Sequence, residues 1–300
     1  MLSESTGAVI EAAGLSLTTV VQAVQCAVDE DLAYGPDVTT MATVPAGQRV
    51  HAAFVARQPG IVAGLGVVAA TLDVVVGVGQ WSVRTSVSDS TRIDRRTVAM
   101  ELEAPTHSLL TAERTALNFL CHLSGVATFT ARWVQAVSGT HVKVRDTRKT
   151  MPGLRVLDKY AVRCGGGVNH RMGLGDAALI KDNHVVAAGG IRNAVAAVRS
   201  QSPNIDLEVE CDSLLQVQEA VESGVSLVLL DNMPIDRLRE AVAWVRGVSD
   251  TVRLEASGGL TLDTVRQVAE TGVDYVAVGA ITHSAPVLDF GLDFLAVVDR

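Results

Sequence analysis

Apolar positions change their rhythm along this chain, and the change separates two architectures. Leu17 to Asp31 repeats apolar residues at helical spacing and is stopped by Tyr34-Gly35-Pro36. Gln48 to Arg57 alternates as a strand does, with Val50, Ala52 and Phe54 against His51, Ala53 and Val55. Pro59-Gly60 then turns the chain. Thr97 to Glu103 alternates again, with Val98, Met100 and Leu102 on one face. Leu109 to Leu123 reads as a helix with Leu110, Leu117 and Leu120 toward a core. To about Gly125 the pattern predicts an α+β segment with a small sheet.

From about Thr140 short β-rich runs alternate with helical stretches. Strands are predicted at 141–145, 177–180, 205–209, 226–230, 252–255 and 275–278, with helices at 191–199, 214–221, 235–246 and 261–270. Continuous apolar runs such as Val225–Leu230 suit parallel strands buried on both faces. Repeated βα units of this kind favour a parallel barrel over an open sheet. The expected fold class is therefore α/β: an N-terminal α+β sandwich-like domain over residues 1–125, then a C-terminal parallel α/β barrel over 126–284. Fewer than eight strands would leave that barrel incomplete. The tail, 285–300, is expected to pack back on the first domain.

Composition narrows the class. A chain of 300 residues with 48% hydrophobic content can bury a large core, and its net charge of −8 argues against nucleic-acid or anionic-membrane partners. The four cysteines form no CxxC pair, as in a reduced intracellular chain. No basic residue precedes Arg49, so a signal peptide's positive start is missing and a cytoplasmic location is expected. The most apolar run, Ile61 to Gly79, contains Asp73, which would cost roughly 2.5–3.5 kcal/mol at a bilayer centre. A buried helix is the better reading.

Against this acidic background one segment is cationic. All four lysines fall between Lys143 and Lys181, and the other basic residues are arginine. Asp146 to His184 also holds Arg148, His170, Arg171, His184 and the triple glycine Gly165-Gly166-Gly167. Cations beside so much glycine suggest a cradle for a small, multiply anionic ligand. Most predicted strands end in polar or glycine residues: Asp146 with Arg148 and Lys149, Lys181, Glu210, Asp231, Ser257 and Gly279. Strand C-termini carry the chemistry of βα barrels. Helix capping explains Asp231 or Ser257 adequately, but Lys181 and Glu210 are poor N-caps. Glu210 and Asp231 end consecutive strands. They suit Mg²⁺ held partly by substrate oxygens, hydrogen bonds to sugar hydroxyls, or a structural ion pair. Ser257-Gly258-Gly259 and Gly279 follow the last two strands, where a barrel builds its phosphate site. Arg114 sits on a helix of the first domain and matters only if that helix overlies a barrel mouth. His184 and His283 read equally well as caps or core-edge residues.

These residues carry a family resemblance over nearly the whole chain. DTRKT to IKDNH (146–184), ERTALNFL with HLSG (113–125), EVE ending at Glu210, LLDN ending at Asn232, SGG at Ser257 and VDYVAVGAITHS resemble quinolinate phosphoribosyltransferase, the carboxylating nicotinate-nucleotide pyrophosphorylase family. The resemblance implies phosphoribosyl transfer from phosphoribosyl pyrophosphate to quinolinate, giving nicotinate mononucleotide, pyrophosphate and CO2 with Mg²⁺. By resemblance Arg148, Arg171, His170 and Lys181, with Arg114 from a neighbouring subunit, hold the dicarboxylate. Lys149 and Lys181 steady the ribosyl pyrophosphate. Glu210 and Asp231 serve the ribose hydroxyls and Mg²⁺, while Ser257, Gly258, Gly259 and Gly279 take the 5-phosphate with His283 nearby. A homodimer or larger assembly follows if Arg114 completes another copy's site. Alternatives are a sister pyrophosphorylase with another acceptor, a Schiff-base aldolase using Lys181, and a phosphosugar sensor without turnover.

Overall fold

The computed structural model describes residues 2–298, and its contacts divide the chain into two compact units. The first comprises residues 1–129, 151–166 and 284–300; the second comprises 130–150 and 167–283. The sequence reading ran the barrel unbroken from 126 to 284. The helix Arg155–Cys164 instead lies with the first unit, because its apolar face, Leu157, Tyr160, Ala161 and Cys164, is buried there.

The first unit is built on a four-stranded sheet in the order Phe290–Val298, Arg49–Ala56, Val98–Pro105, Ser82–Ser86. Its neighbouring strands run antiparallel. The tail strand Phe290–Val298 pairs with Arg49–Ala56 along its length. Val50, Ala52 and Phe54 are fully buried, and Met100, Leu102, Leu109 and Leu117 join them in one apolar cluster. A register shift between Phe54 and Val55 turns Val98 out to solvent, where simple alternation had placed it with Met100. Leu109 rather than Leu110 faces the core from the helix Thr106–Ala136.

The apolar run 61–79 forms a buried helix, Leu65–Leu72, that widens into a π-helical turn over Asp73–Gly77. Asp73 is tolerated there because Ser3 N–H, the Ser3 hydroxyl and Trp81 Nε1–H all donate to its carboxylate. No single helix among the described residues is long and apolar enough to cross a membrane.

The second unit is a six-stranded parallel sheet whose order places the first strand, Lys143–Arg145, beside the last, Tyr275–Ala277. The others follow as Arg253–Ser257, Leu227–Asp231, Leu207–Cys211 and Ala178–Ile180. A first strand that rejoins the last is the order of a barrel. The opening falls between Ala178–Ile180 and a single bridge from Arg145 to Val168. Helices Ile191–Gln201, Leu214–Glu222 and Ile235–Val248 connect successive strands and bury Ile191, Val217, Leu238 and Val245. Val209, Val228, Leu254 and Val276 are buried along the strands. At alternate positions the sheet's other face carries Glu208, Glu210, Glu255, Ser257 and Asp231.

Candidate functional site

Register decides which side chains meet. Val209 pairs with Ile180, so Lys181, one residue past the strand, lies level with Glu210, and its ammonium is 3.4 Å from Glu210 Oε2. Lys181 occupies the N-cap position of the helix Asp182–Ala188, but the capping is done by His184, whose Nδ1 accepts the Lys181 amide N–H at 2.9 Å. The lysine side chain is thus left half exposed for other work. Asp231 ends the next strand opposite Ser257. Asn232 Nδ2–H donates to Asp231 Oδ2 at 2.7 Å, and Asn232 N–H donates to Ser257 O at 2.8 Å. Asn232 is left-handed at φ 52°, a conformation asparagine tolerates. A Cβ on Gly258 (φ 93°) would stand 2.2 Å from Asn232 Oδ1, so only glycine lets that turn hold Asp231 in place. Gly259 follows, also left-handed at φ 60° and exposed.

At the last strand Gly279 permits a close approach: a Cβ there would be 2.9 Å from Lys149 Cδ and 3.3 Å from His283 Nε2. The Thr282 hydroxyl bonds Lys149 O at 2.8 Å, which fastens the Lys149 main chain to the helix Ala280–His283. Lys149, Gly279 and His283 therefore come together.

Neither Arg148 nor Arg171 forms a close ion pair among the described residues, although Asp176 and Glu208 act on Arg171 from further off. Arg148 Nε is buried with no hydrogen-bond partner. Arg171 spends Nη1–H on Ala177 O at 2.9 Å. Burial pushes the Arg171 guanidinium pKa down, and the neighbouring charge of Arg148 pushes it further. The triple glycine is not the expected cradle. Gly165 ends the helix Arg155–Cys164, donating N–H to Ala161 O, and Gly166 turns at φ 85° to leave it. Among the lysines, Lys143 is exposed at a strand start and Lys159 is fully buried in the first unit, so lysine retention alone does not mark the site. Arg114 is exposed on the helix Thr106–Ala136 of the first unit.

Sequence reasoning assigned His170 to the ligand, but both its ring nitrogens are engaged. Nδ1 accepts the Arg171 amide N–H at 2.7 Å and Nε2 lies 2.8 Å from Glu208 Oε2. Asp146, fully buried, accepts from His170 N–H and from Asn169 Nδ2–H, so it anchors this loop. Glu255, beyond Glu208, bonds Arg145 Nη1 at 2.5 Å, and Arg145 stacks on Tyr275. His170, Glu208 and Glu255 lie close enough to share a cation. The tautomer argues otherwise: with Nδ1 accepting, Nε2 carries the proton, and a metal there would require an imidazolate. Sequence reasoning missed Glu208 and Glu255. The signal was present as period-2 pairs, Glu208 with Glu210 and Glu255 with Ser257.

Burial pushes both carboxyl groups up, to about 7; for Glu255 the charge of Glu208 adds to the shift. Arg145, Arg171, Lys181 and Glu210 all bear on Glu208. The unfolded chain releases these protons near pH 4.3, so between about 4.3 and 7 the folded state holds the excess and stability falls as pH rises. Urea midpoints measured from pH 5 to 8 should decline through this window, with a shallower decline in Glu255→Gln. A steeper decline in that variant would remove the assignment.

A cavity of about 450 Å³ lies at the start of the parallel strands, lined by Arg145, His170, Arg171, Glu208, Arg253 and Tyr275 among others. It is below the strand ends that carry Lys181, Glu210 and Asp231, and Arg171 reaches toward it.

Comparison with known proteins divides the chain once, near residue 125, and does not separate residues 151–166 or the tail as the contacts do. Residues 37–124 match the family model of the quinolinate phosphoribosyl transferase N-terminal domain, and residues 126–293 that of its C-terminal domain. A Mycobacterium leprae protein named nicotinate-nucleotide pyrophosphorylase (carboxylating) is 52% identical over 267 residues, covering 89% of this chain and 94% of its own. The solved nicotinate-nucleotide pyrophosphorylase of Francisella tularensis superposes with a TM-score of 0.88 at 36% identity, over 93% of this chain and 97% of that one. The enzyme of the same name from Ehrlichia chaffeensis gives 0.86 at 37% identity, over 93% and 99%.

Proposed function

We propose that this chain, which belongs to the quinolinate phosphoribosyltransferase family, transfers phosphoribose from phosphoribosyl pyrophosphate to quinolinate and releases CO2. The product is nicotinate mononucleotide, a precursor of NAD. The observation that carries this reading is the pair Arg148 and Arg171: Arg148 Nε is buried without a hydrogen-bond partner, its charge bears on Arg171, and neither guanidinium forms a close ion pair among the described residues, Asp176 and Glu208 acting on Arg171 only from further off. Like charges held close in a partly dry site await a dianion, and guanidinium groups bind carboxylates through paired hydrogen bonds. Quinolinate supplies two adjacent carboxylates.

Arg148, Arg171 and Lys181 would grip the acid, with His170 acting through Arg171 and Arg114 supplied by a second copy of the chain. Lys149, with its stem over Gly279, would meet the phosphates, and Ser257, Gly258, Gly259, Gly279 and His283 would surround the 5-phosphate. No residue need act as a nucleophile. The pyridine nitrogen attacks the sugar's C1 as pyrophosphate leaves, and Glu210 and Asp231 favour the positive charge that grows there. The alkylated, cationic nitrogen then stabilises the electron pair left at C2 as the carboxylate departs as CO2, and a proton from solvent takes its place at C2. Glu210 and Asp231 are also the hard oxygen donors that suit Mg²⁺ when phosphate oxygens and waters complete its shell. Bound there, Mg²⁺ would offset charge on the pyrophosphate.

The aldolase alternative lacks support, because Lys181 lies half exposed against Glu210 and not in the apolar pocket that activates an imine-forming lysine. Four free cysteines in an acidic chain support a cytoplasmic location. The test is release of labelled CO2 from quinolinate carrying the label in its C2 carboxylate. Release should require both phosphoribosyl pyrophosphate and Mg²⁺. Release without the sugar, or none at all, would end the proposal.

A further inference from the structure

Glu208 and Glu255 have no part in the chemistry above, yet burying them in the second unit is costly. Both are carboxyl groups inside a parallel sheet, at 4% and 0% exposure, and each keeps one oxygen without a hydrogen-bond partner. A fold carries such groups when they determine something that an apolar residue could not.

What Glu208 determines is visible in its one contact. His170 is buried, and its main-chain N–H is fixed by Asp146 Oδ1 at 2.8 Å. The ring therefore has little freedom, and only its tautomer remains open. With the proton on Nε2, Glu208 Oε2 accepts it and Nδ1 receives the Arg171 amide N–H at 2.7 Å. With the proton on Nδ1, two N–H groups would face each other at Arg171, and Nε2 would face a carboxylate oxygen. Glu208 therefore selects the state in which the Arg171 main chain is held. That residue's guanidinium is then anchored at its far end by Ala177 O. Glu255 Oε1 also lies 3.7 Å from His170 Nε2, beyond hydrogen-bond distance, and its other oxygen is bound to Arg145, which is stacked on Tyr275, so Glu208 is the acceptor in hydrogen-bond contact with the ring.

We propose that Glu208 is a positioning residue for quinolinate: it fixes the His170 tautomer and through it the main chain of the carboxylate-binding Arg171. The inference rests on the reading that Arg171 grips the substrate acid. It concerns binding of that acid and leaves the phosphoribosyl half alone, since Lys149, Gly279 and His283 are brought together by separate contacts.

The test uses the full-length enzyme and two substitutions of similar size. Glu208→Met removes the acceptor and should raise the KM for quinolinate about 10- to 100-fold, by analogy with the loss seen when the partner orienting a metal-binding histidine is removed. The KM for phosphoribosyl pyrophosphate should change less than about threefold. Glu208→Gln keeps an acceptor oxygen and should restore the quinolinate KM to within about threefold of the unsubstituted enzyme. An unchanged quinolinate KM in the Met variant, or equal rises for both substrates, would overturn the proposal. A Gln variant no better than Met would do the same. Nitrogen-15 NMR of histidine-labelled protein reads the tautomer directly and needs no turnover. His170 in the unsubstituted protein should show a protonated Nε2 and an acceptor Nδ1; a protonated Nδ1 would overturn the proposal even if no variant folds. If the enzyme consumed no quinolinate, the assigned reaction would fall, while the NMR result would still decide the role of Glu208.

Discussion

Arg171→Ala should raise the KM for quinolinate by about two orders of magnitude and change that for phosphoribosyl pyrophosphate by less than about threefold. A hydrogen bond to a charged group contributes roughly 1.5–3 kcal/mol, and each 1.4 kcal/mol is a factor of ten in affinity. A guanidinium that grips a carboxylate with two such bonds loses both on truncation. Its neighbour Arg148 has no protein partner at Nε, so the substrate's second carboxylate would still find one cation and weak binding would persist. The fold should tolerate the change, because removing Arg171 relieves repulsion from Arg148. Steady-state kinetics in both substrates, with a thermal melt, would check all three expectations. Equal effects on the two KM values would remove Arg171 from the acid-binding site.

Asp231→Asn should lower kcat about 100- to 1,000-fold, the usual effect of removing one preorganised electrostatic group beside a developing charge. The substitution keeps the shape of the side chain and deletes its charge. Asn232 can still donate to the remaining carbonyl oxygen, and Gly258 still accommodates Asn232, so the turn should survive. Quinolinate binding, measured by calorimetry, should be nearly unaffected, because the acid is held by arginines elsewhere. Unchanged turnover would reduce Asp231 to a strand-ending residue without chemistry.

Much of this architecture was legible from pattern alone, and the exceptions have physical causes. The parallel strands announced themselves through apolar runs and the helices between them through period. Ser82–Ser86 was not seen because it is an edge strand with all five residues exposed, so nothing imposes alternation. The helix Arg155–Cys164 was hidden inside a segment rich in charge and glycine, where Asp158 and Lys159 are buried against expectation. At the candidate site, Lys181, Glu210 and Asp231 drew attention because residues at strand ends stand out against apolar runs. Glu208 and Glu255 were not, since a carboxylate within a predicted buried strand reads as an interruption. The contacts of His170 could not be read from the sequence, because its partners come from a neighbouring amide and another strand. The triple glycine was misread for a simpler reason: one helix end accounts for two of its members.

The strand Phe290–Val298 has a consequence for how the molecule is made. Its hydrogen-bonded neighbour, Arg49–Ala56, leaves the ribosome more than two hundred residues earlier. At roughly 5–20 residues per second, the nascent first sheet waits on the order of ten seconds or more with one margin uncovered. The parallel strands, contiguous from Ala178 to Ala277, carry no such delay and can condense while synthesis continues. Completion of the first sheet therefore waits on a segment made long after the strand it covers, and that interval is when a holdase has a strand edge to shield.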